Sequence, residues 1–184
     1  MTEEYLDIVN ENNQIIGQEK RHIVHTSGLW HRGVHVFLFS PGRRLLVQRR
    51  SRTQDTFPNA LDCSVSEHLK VGEPYREGAA RGLREELGIK GVRLIRLLRL
   101  KMAYGPGDNM INELYEGVCE GQALTIDHHE IEHIAHHSLP ELEDMMASGQ
   151  VPFSSWFEQL LRWYVGKPAC LQVMWSRRDL PGSS

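Results

Sequence analysis

Glu85 and Glu86 stand side by side in "ARGLREELGI", four and five residues after Arg81, and Glu73 lies on the entry to the same segment. Neighbouring helical residues lie about 100° apart around the axis, so both carboxylates can reach one site just beyond the helix face. Hard oxygen donors clustered without cysteine favour Mg2+ or Mn2+, held by a few carboxylates while a substrate's phosphates complete the shell. Arg81 can orient the glutamates through charge-assisted hydrogen bonds. The bland alternative is a solvated acidic turn, since surface helices often carry such runs. One residue disturbs the pattern: Gly82 sits inside the helix, where glycine costs roughly 1 kcal/mol against alanine.

These side chains need a helix and a strand to hold them. The spacing predicts a helix over Pro74–Leu87, ended by Gly88, with Ala80, Leu83 and Leu87 on its core face. "CSVSEHLKVGE" reads as a short strand leading into it, so that carbonyls of the loop and Glu73 come close to the pair. Upstream, "GVHVFLFS" and "RLLVQRR" flank the turn "PGR" and read as two antiparallel strands, while "TFPNALD" is a loop. "YLDIV" and "QIIGQE" around "NENN" make an opening hairpin, and "RHIVHTSGLWHR" reads as irregular.

Downstream, "VRLIRLLRLKMAY" and "MINELYEGVCEG" have strand composition and are separated by "GPGDN". The first alternates basic residues with leucines, which fits a strand with one solvated face. "EIEHIAHHS" is a further short strand. Ser138 is expected to cap a helix, with Glu141 completing a capping box and Pro140 in the first turn. "SSWFEQLLRWYV" is amphipathic, with Phe157, Leu160, Leu161 and Tyr164 on one side, and "SRRDLPGSS" reads as a frayed tail. Strands followed by helices at these places predict an α+β domain with a mixed sheet between helices, an α/β/α layering. One domain over 1–168 and a tail over 169–184 are expected.

Composition excludes several classes. A chain of 184 residues suits one domain with a real core, and a net charge of −3 argues against a nucleic-acid partner. Cys63, Cys119 and Cys170 are odd in number and widely spaced, which predicts buried thiols in a reducing compartment. The acidic N-terminus lacks a signal-peptide run, and no stretch approaches the ~18 apolar residues of a membrane span. A cytoplasmic protein with no membrane partner is expected.

"EHLKVGEPYREGAARGLREELGI" resembles the Nudix box: Gly, five residues, Glu, seven residues, then Arg-Glu-apolar-any-Glu-Glu-any-Gly-apolar. Glu73, Arg81, Leu83, Glu85, Glu86, Gly88 and Ile89 fall on the pattern. Two positions depart from it, Glu67 for the opening Gly and Gly82 for the Glu after Arg81. Gly82 thus stands where the family places a carboxylate, no packing reason for it is needed, and Gly82→Glu is expected to be tolerated.

The resemblance extends over roughly residues 5–165 and is closest to the branch that includes isopentenyl-diphosphate isomerase and its hydrolase-like relatives. It implies the Nudix fold, with the metal on the box helix. By the same alignment His25, His31, His68 and Glu113 fall near a metal site of the isomerase. The isomerase thiol, however, is replaced by Ser66, with Cys63 three residues away. Ile111 replaces a metal-site Glu and Gln54 a phosphate-binding Lys. Hydrolysis fits better.

For hydrolysis the metal set is Glu85, Glu86 and Glu73, with Arg81 orienting them. Arg50, at the end of a strand, is the candidate phosphate clamp, with the His68 region supporting substrate binding. The missing base is expected from a late loop, as Glu130 in "DHHEIEHIAHH", with Glu132 second; the plain alternative is an exposed strand-entry residue. The five histidines from His128 to His137 lack ligand spacing and are read as solvated or partly buried strand. Trp156, Phe157, Trp163 and Tyr164 are read as core or dimer surface. The expected function is Mg2+- or Mn2+-dependent hydrolysis of a diphosphate linkage in a small molecule, such as a nucleoside or isoprenoid diphosphate. The alternatives are a catalytically impaired Nudix domain that binds phosphorylated ligands and, behind it, the isomerase. A homodimer is open, since relatives are often dimers.

Overall fold

The computed structural model describes residues 3–105 and 107–180. Pro106 of the Gly-Pro-Gly connection and the last four residues of the expected tail lie outside them. The elements run β1 (Tyr5–Val9), β2 (Ile15–Lys20), α1 (Arg21–Thr26), β3 (His31–Phe39), β4 (Leu45–Arg50), β5 (Leu61–Asp62) and β6 (Val65–His68). They continue with α2 (Tyr75–Leu87), β7 (Ile95–Gly105), β8 (Asp108–Val118), β9 (Ile131–His137), α3 (Leu139–Ser148), α4 (Ser155–Tyr164) and β10 (Gln172–Ser176).

β3 organises the sheet. It runs parallel to β8 along its whole length and antiparallel to β6 through Gly33–Val36. The main path is β10-β7-β8-β3-β1-β2, with β6 and β4 joining at β3 and β9 joining at β4. Its sequence is apolar on both faces, as a strand covered on both sides must be. Val34, Val36 and Leu38 pack into a core with Ala79, Leu83 and Leu87 of α2. Phe37 and Phe39 pack into a second core with Phe157, Leu160 and Leu161 of α4 and Leu142 of α3. Two cores on opposite faces of one mixed sheet make the expected α+β, α/β/α architecture.

Several local expectations change. β3 and β4 are antiparallel but pair only at Phe39–Leu45; β9 takes up β4 along Leu45–Arg50. The stretch read as irregular contains α1, too short to show a helical period, held by buried Val24. In α2 the core residue is Ala79, while Ala80 is exposed: four-residue steps from Tyr75 through Ala79 and Leu83 to Leu87 define the buried stripe. Gly88 ends that helix at φ 71°, a left-handed conformation that favours glycine. α3 carries the expected Ser138–Glu141 capping box. The segment expected as a tail supplies β10, which pairs with β7. Cys63 and Cys119 are buried as expected, but Cys170 is exposed. Among the described residues no helix is long and apolar enough to cross a membrane.

Candidate active site

Four carboxylates from three elements gather at the edge of α2. α2 turns Glu86 inward, where it is only 6% exposed, and leaves Glu85 at the surface. β6 brings Glu67, and the turn before β9 brings Glu130. Gln48 of β4 donates to Glu86 Oε2 at 3.2 Å, while the buried Glu86 Oε1 has no hydrogen-bond partner. Burial, with the charges of Glu67 and Glu130, pushes the Glu86 carboxyl well above its usual range, against the Gln48 hydrogen bond. Burial likewise pushes Glu67 up to about 7, opposed by Arg81 and reinforced by Glu85 and Glu130. The donor set is all oxygen, the ligand chemistry of a hard divalent cation, although among the described residues only the group of His25, His31, His68 and Asp108 brings three or more ligand atoms within 4.8 Å of one another.

Arg81 organises this edge. It donates to Glu85 Oε2 at 3.0 Å, Glu73 Oε1 at 2.9 Å, Glu73 Oε2 at 3.1 Å and the His68 carbonyl at 2.8 Å, and it lies 3.1 Å from Glu67 Oε1. Glu73 is expected from sequence to be a metal ligand, but its carboxylate is arranged instead to hold Arg81. Both its oxygens are taken by Arg81, and Oε2 also accepts from the Lys70 amide at 2.9 Å. It positions Arg81, which positions Glu85.

Arg50 also departs from expectation. Instead of presenting a free guanidinium to phosphate, it donates to Asp62 Oδ2 at 2.9 Å, the Thr56 carbonyl at 3.0 Å and Gln54 Oε1 at 3.1 Å. Asp62 is fully buried and also accepts from Trp156 Nε1 and Ser154 Oγ, so Arg50 neutralises a charge that pins the start of α4. Gln54 spans from Arg50 to Glu130, donating to Glu130 Oε2 at 3.0 Å. Glu130 is exposed at the mouth of the carboxylate group, and its charge is felt by both Glu67 and Glu86. Glu132, the second choice for base, lies 3.7 Å from Arg52 at the surface.

Gly82 has a packing reason after all. A Cβ added there would collide with Val65 Cγ1 and come within 3.0 Å of Glu67 Cγ. This runs against the expectation that a glutamate would be tolerated at this position: α2 lies so close to β6 that Val65 and Glu67 would have to shift to admit a side chain.

A second group of ligand atoms lies on the other face of β6. His25, His31, His68 and Asp108 each offer an atom within 4.8 Å of the others. His31 Nδ1 lies 3.1 Å from the Leu29 carbonyl, which leaves Nε2 free as an acceptor; His31 Nε2, His25 Nε2 and Asp108 Oδ1 have no hydrogen-bond partner. Burial lowers all three imidazoles, His31 to about 4 and His68 well below its usual range, so they are neutral and ready to donate lone pairs. Glu113, aligned with this set from sequence, is elsewhere. It accepts from Arg96, Arg99 and Tyr115. Strand parity explains the miss: Tyr115, two residues on, belongs to the α2 core, whereas neighbouring Asn112 bonds Tyr104 in the α4 core.

Ser66 Oγ donates to Asp62 Oδ1 at 3.1 Å and lies 3.0 Å from His35 Nδ1, so it is part of a buried polar layer. Cys63 is fully buried and its thiol is pushed up by burial, which makes it a poor proton donor. Of the residues that sequence reasoning missed, Glu67 and Gln48 had a signal in strand alternation. Glu67 falls two residues after buried Val65, and Gln48 two after buried Leu46. Asp108 had none, because only the fold brings it to α1.

The NUDIX domain family model matches residues 29–157. An uncharacterised Nudix hydrolase of Clostridium acetobutylicum is 35% identical over 141 residues, covering 71% of this chain and 68% of the relative. Another from Streptomyces coelicolor is 35% identical over 144 residues, covering 77% of each. The crystal structure of DR0079 from Deinococcus radiodurans superposes with a TM-score of 0.72 at 26% identity, covering 87% of this chain and 98% of that one. The chain belongs to the Nudix hydrolase family.

Proposed function

We propose that the chain hydrolyses a diphosphate linkage in a small molecule, with Mg2+ or Mn2+ held by Glu86 and Glu85 and with Glu130 as the general base. The observation that carries this is the buried Glu86 Oε1, unpaired and faced by further carboxylates. When bound, the cation would neutralise phosphate oxygens and the charge that develops as the bridging P–O bond breaks. The chain's own residues do the rest. Glu130, held by Gln54, accepts a proton from the attacking water as its oxygen bonds to phosphorus. Gln48 fixes Glu86, and Arg81 fixes Glu85.

The test is a panel of nucleoside di- and triphosphates, nucleotide sugars and isoprenoid diphosphates, assayed with Mg2+ and with Mn2+. Turnover of at least one, lost in Glu86→Gln, is expected. Binding of a panel member without turnover under either metal would favour the phosphate-binding alternative, for which Gly82 in a position of the family's carboxylates speaks.

The imidazole group supports a second metal centre. Three neutral nitrogen donors and one carboxylate suit Zn2+, Mn2+ or Fe2+ better than Mg2+.

A further inference from the structure

Glu67 and Gly82 fit together as one device. β6 alternates its side chains, so Val65 and Glu67 both face α2, and the chain of Glu67 runs across the Cα of Gly82. The space a Cβ would need at Gly82 is already filled, by Val65 on one side and Glu67 Cγ at 3.0 Å on the other. The free oxygen of Glu86 points into the same space: Oε1 lies 3.6 Å from where that Cβ would sit. The space a side chain at 82 would enter is therefore occupied in part by a carboxylate-bearing chain carried on the strand at 67.

We propose that Glu67 is a cation ligand of the carboxylate site, delivered from β6 across Gly82 to the unpaired oxygen of Glu86. This rests on the hydrolase reading above and adds to it the residue that completes the oxygen set. Three features separate a ligand from a buried counter-ion. Glu67 is faced by Glu85, Glu86 and Glu130 and by one arginine, so Arg81 alone does not balance it. That arginine is shared among Glu67, Glu73 and Glu85. And Glu86 is more than nine-tenths buried, with its unpaired Oε1 3.6 Å from where a Cβ at Gly82 would sit. A divalent cation shared by the two carboxylates would meet all three conditions.

The experiment is calorimetric titration of the full chain with Mg2+ alone, together with the Mg2+-induced rise in Tm, for wild type, Glu67→Gln, Glu67→Asp and Glu86→Gln. Mg2+ is chosen because it takes oxygen donors and leaves the imidazole group empty. Glu67→Gln keeps shape and hydrogen-bonding length. It is expected to keep the metal-free Tm at or above wild type and to weaken Mg2+ binding by at least roughly tenfold, with Glu67→Asp between the two. Glu67→Gln that binds Mg2+ as wild type does, while Glu86→Gln does not, would overturn the role of Glu67 and leave the hydrolase reading standing. Wild type that takes up no Mg2+ by either measurement would overturn both. If Glu67→Gln melts too low to titrate, Glu67→Asp decides: full-strength Mg2+ binding by that shortened side chain counts against a ligand at this position.

Discussion

Glu67 and His68 are consecutive in β6, yet they face different candidate centres. Glu67 points toward α2 and the buried Glu86, and His68 stacks 5.1 Å from His31 on the other face of the strand. The His68 carbonyl accepts from Arg81 at 2.8 Å, so the backbone of one residue links the two. Loading of the two centres can be separated by mutation because their ligands share a strand and no side chain.

Gly82→Ala should destabilise the fold. Helix propensity favours alanine by roughly 1 kcal/mol, but the added methyl must displace Val65, which is fully buried, and crowd Glu67. Overpacking of this kind costs about 1–3 kcal/mol, so the net sign is a loss. Urea unfolding of the metal-free protein measures it; a stabilised variant would show that α2 can move off β6.

Glu130→Gln should cost on the order of 10²–10⁴ in kcat if the residue is the base, with little change in Tm because the side chain is exposed. Gln54→Ala should lower kcat less, since it removes only the hydrogen bond that holds Glu130. Unchanged turnover in Glu130→Gln would move the base elsewhere.

Arg50→Ala should act on stability before it acts on substrate. It leaves the Asp62 carboxylate buried and without its cation, a change that costs about 3–5 kcal/mol. A variant that melts like wild type and shows only a raised KM would restore the phosphate-clamp role that the structure does not support.

Acid should destabilise the metal-free protein through its buried histidines. Burial lowers His35 to about 4, against the Asp62 charge, while the unfolded imidazole titrates near 6.5. Between those values the unfolded chain binds a proton at this residue that the native one does not, so the His35 contribution rises with pH in that window and is lost as pH falls from about 6.5 to 4. His31 and His68 shift the same way. The raised carboxyls of Glu67 and Glu86 contribute in the opposite sense. His35→Gln should reduce the slope of unfolding free energy against pH, by up to about 1.4 kcal/mol per unit. Chemical denaturation in EDTA at stepped pH reads it, and an unchanged slope would show that His35 titrates alike in the native and unfolded states.

His31→Ala should abolish binding of one equivalent of Zn2+ and leave the Mg2+ response intact, because its ring belongs to the imidazole group alone. Metal analysis after dialysis, beside Mg2+ titration, distinguishes the two centres. Loss of both responses would mean that they are coupled through β6.

The sequence by itself determined the family, the box helix with its pair of adjacent glutamates, Arg81 as their organiser and the capped α3. Each is written in local spacing, since helical period, a capping pair and a motif of fixed length need no distant partner to be read. Tertiary structure decided the rest. That Glu86 turns inward and Glu85 outward is a matter of packing. Arg50 has a phosphate clamp's residue type, but Asp62, apart from it in sequence, claims its guanidinium. Glu113 lies two residues from Tyr115 on the α2 face of β8, while Asp108 reaches His25 only because α1 folds over the β7–β8 end. Glu67 and Gly82 each look like a lapse from the motif when read alone. Only the packing of α2 on β6 puts them in one space, because the distance between a strand and a helix is set by the side chains between them and not by the chain that joins them.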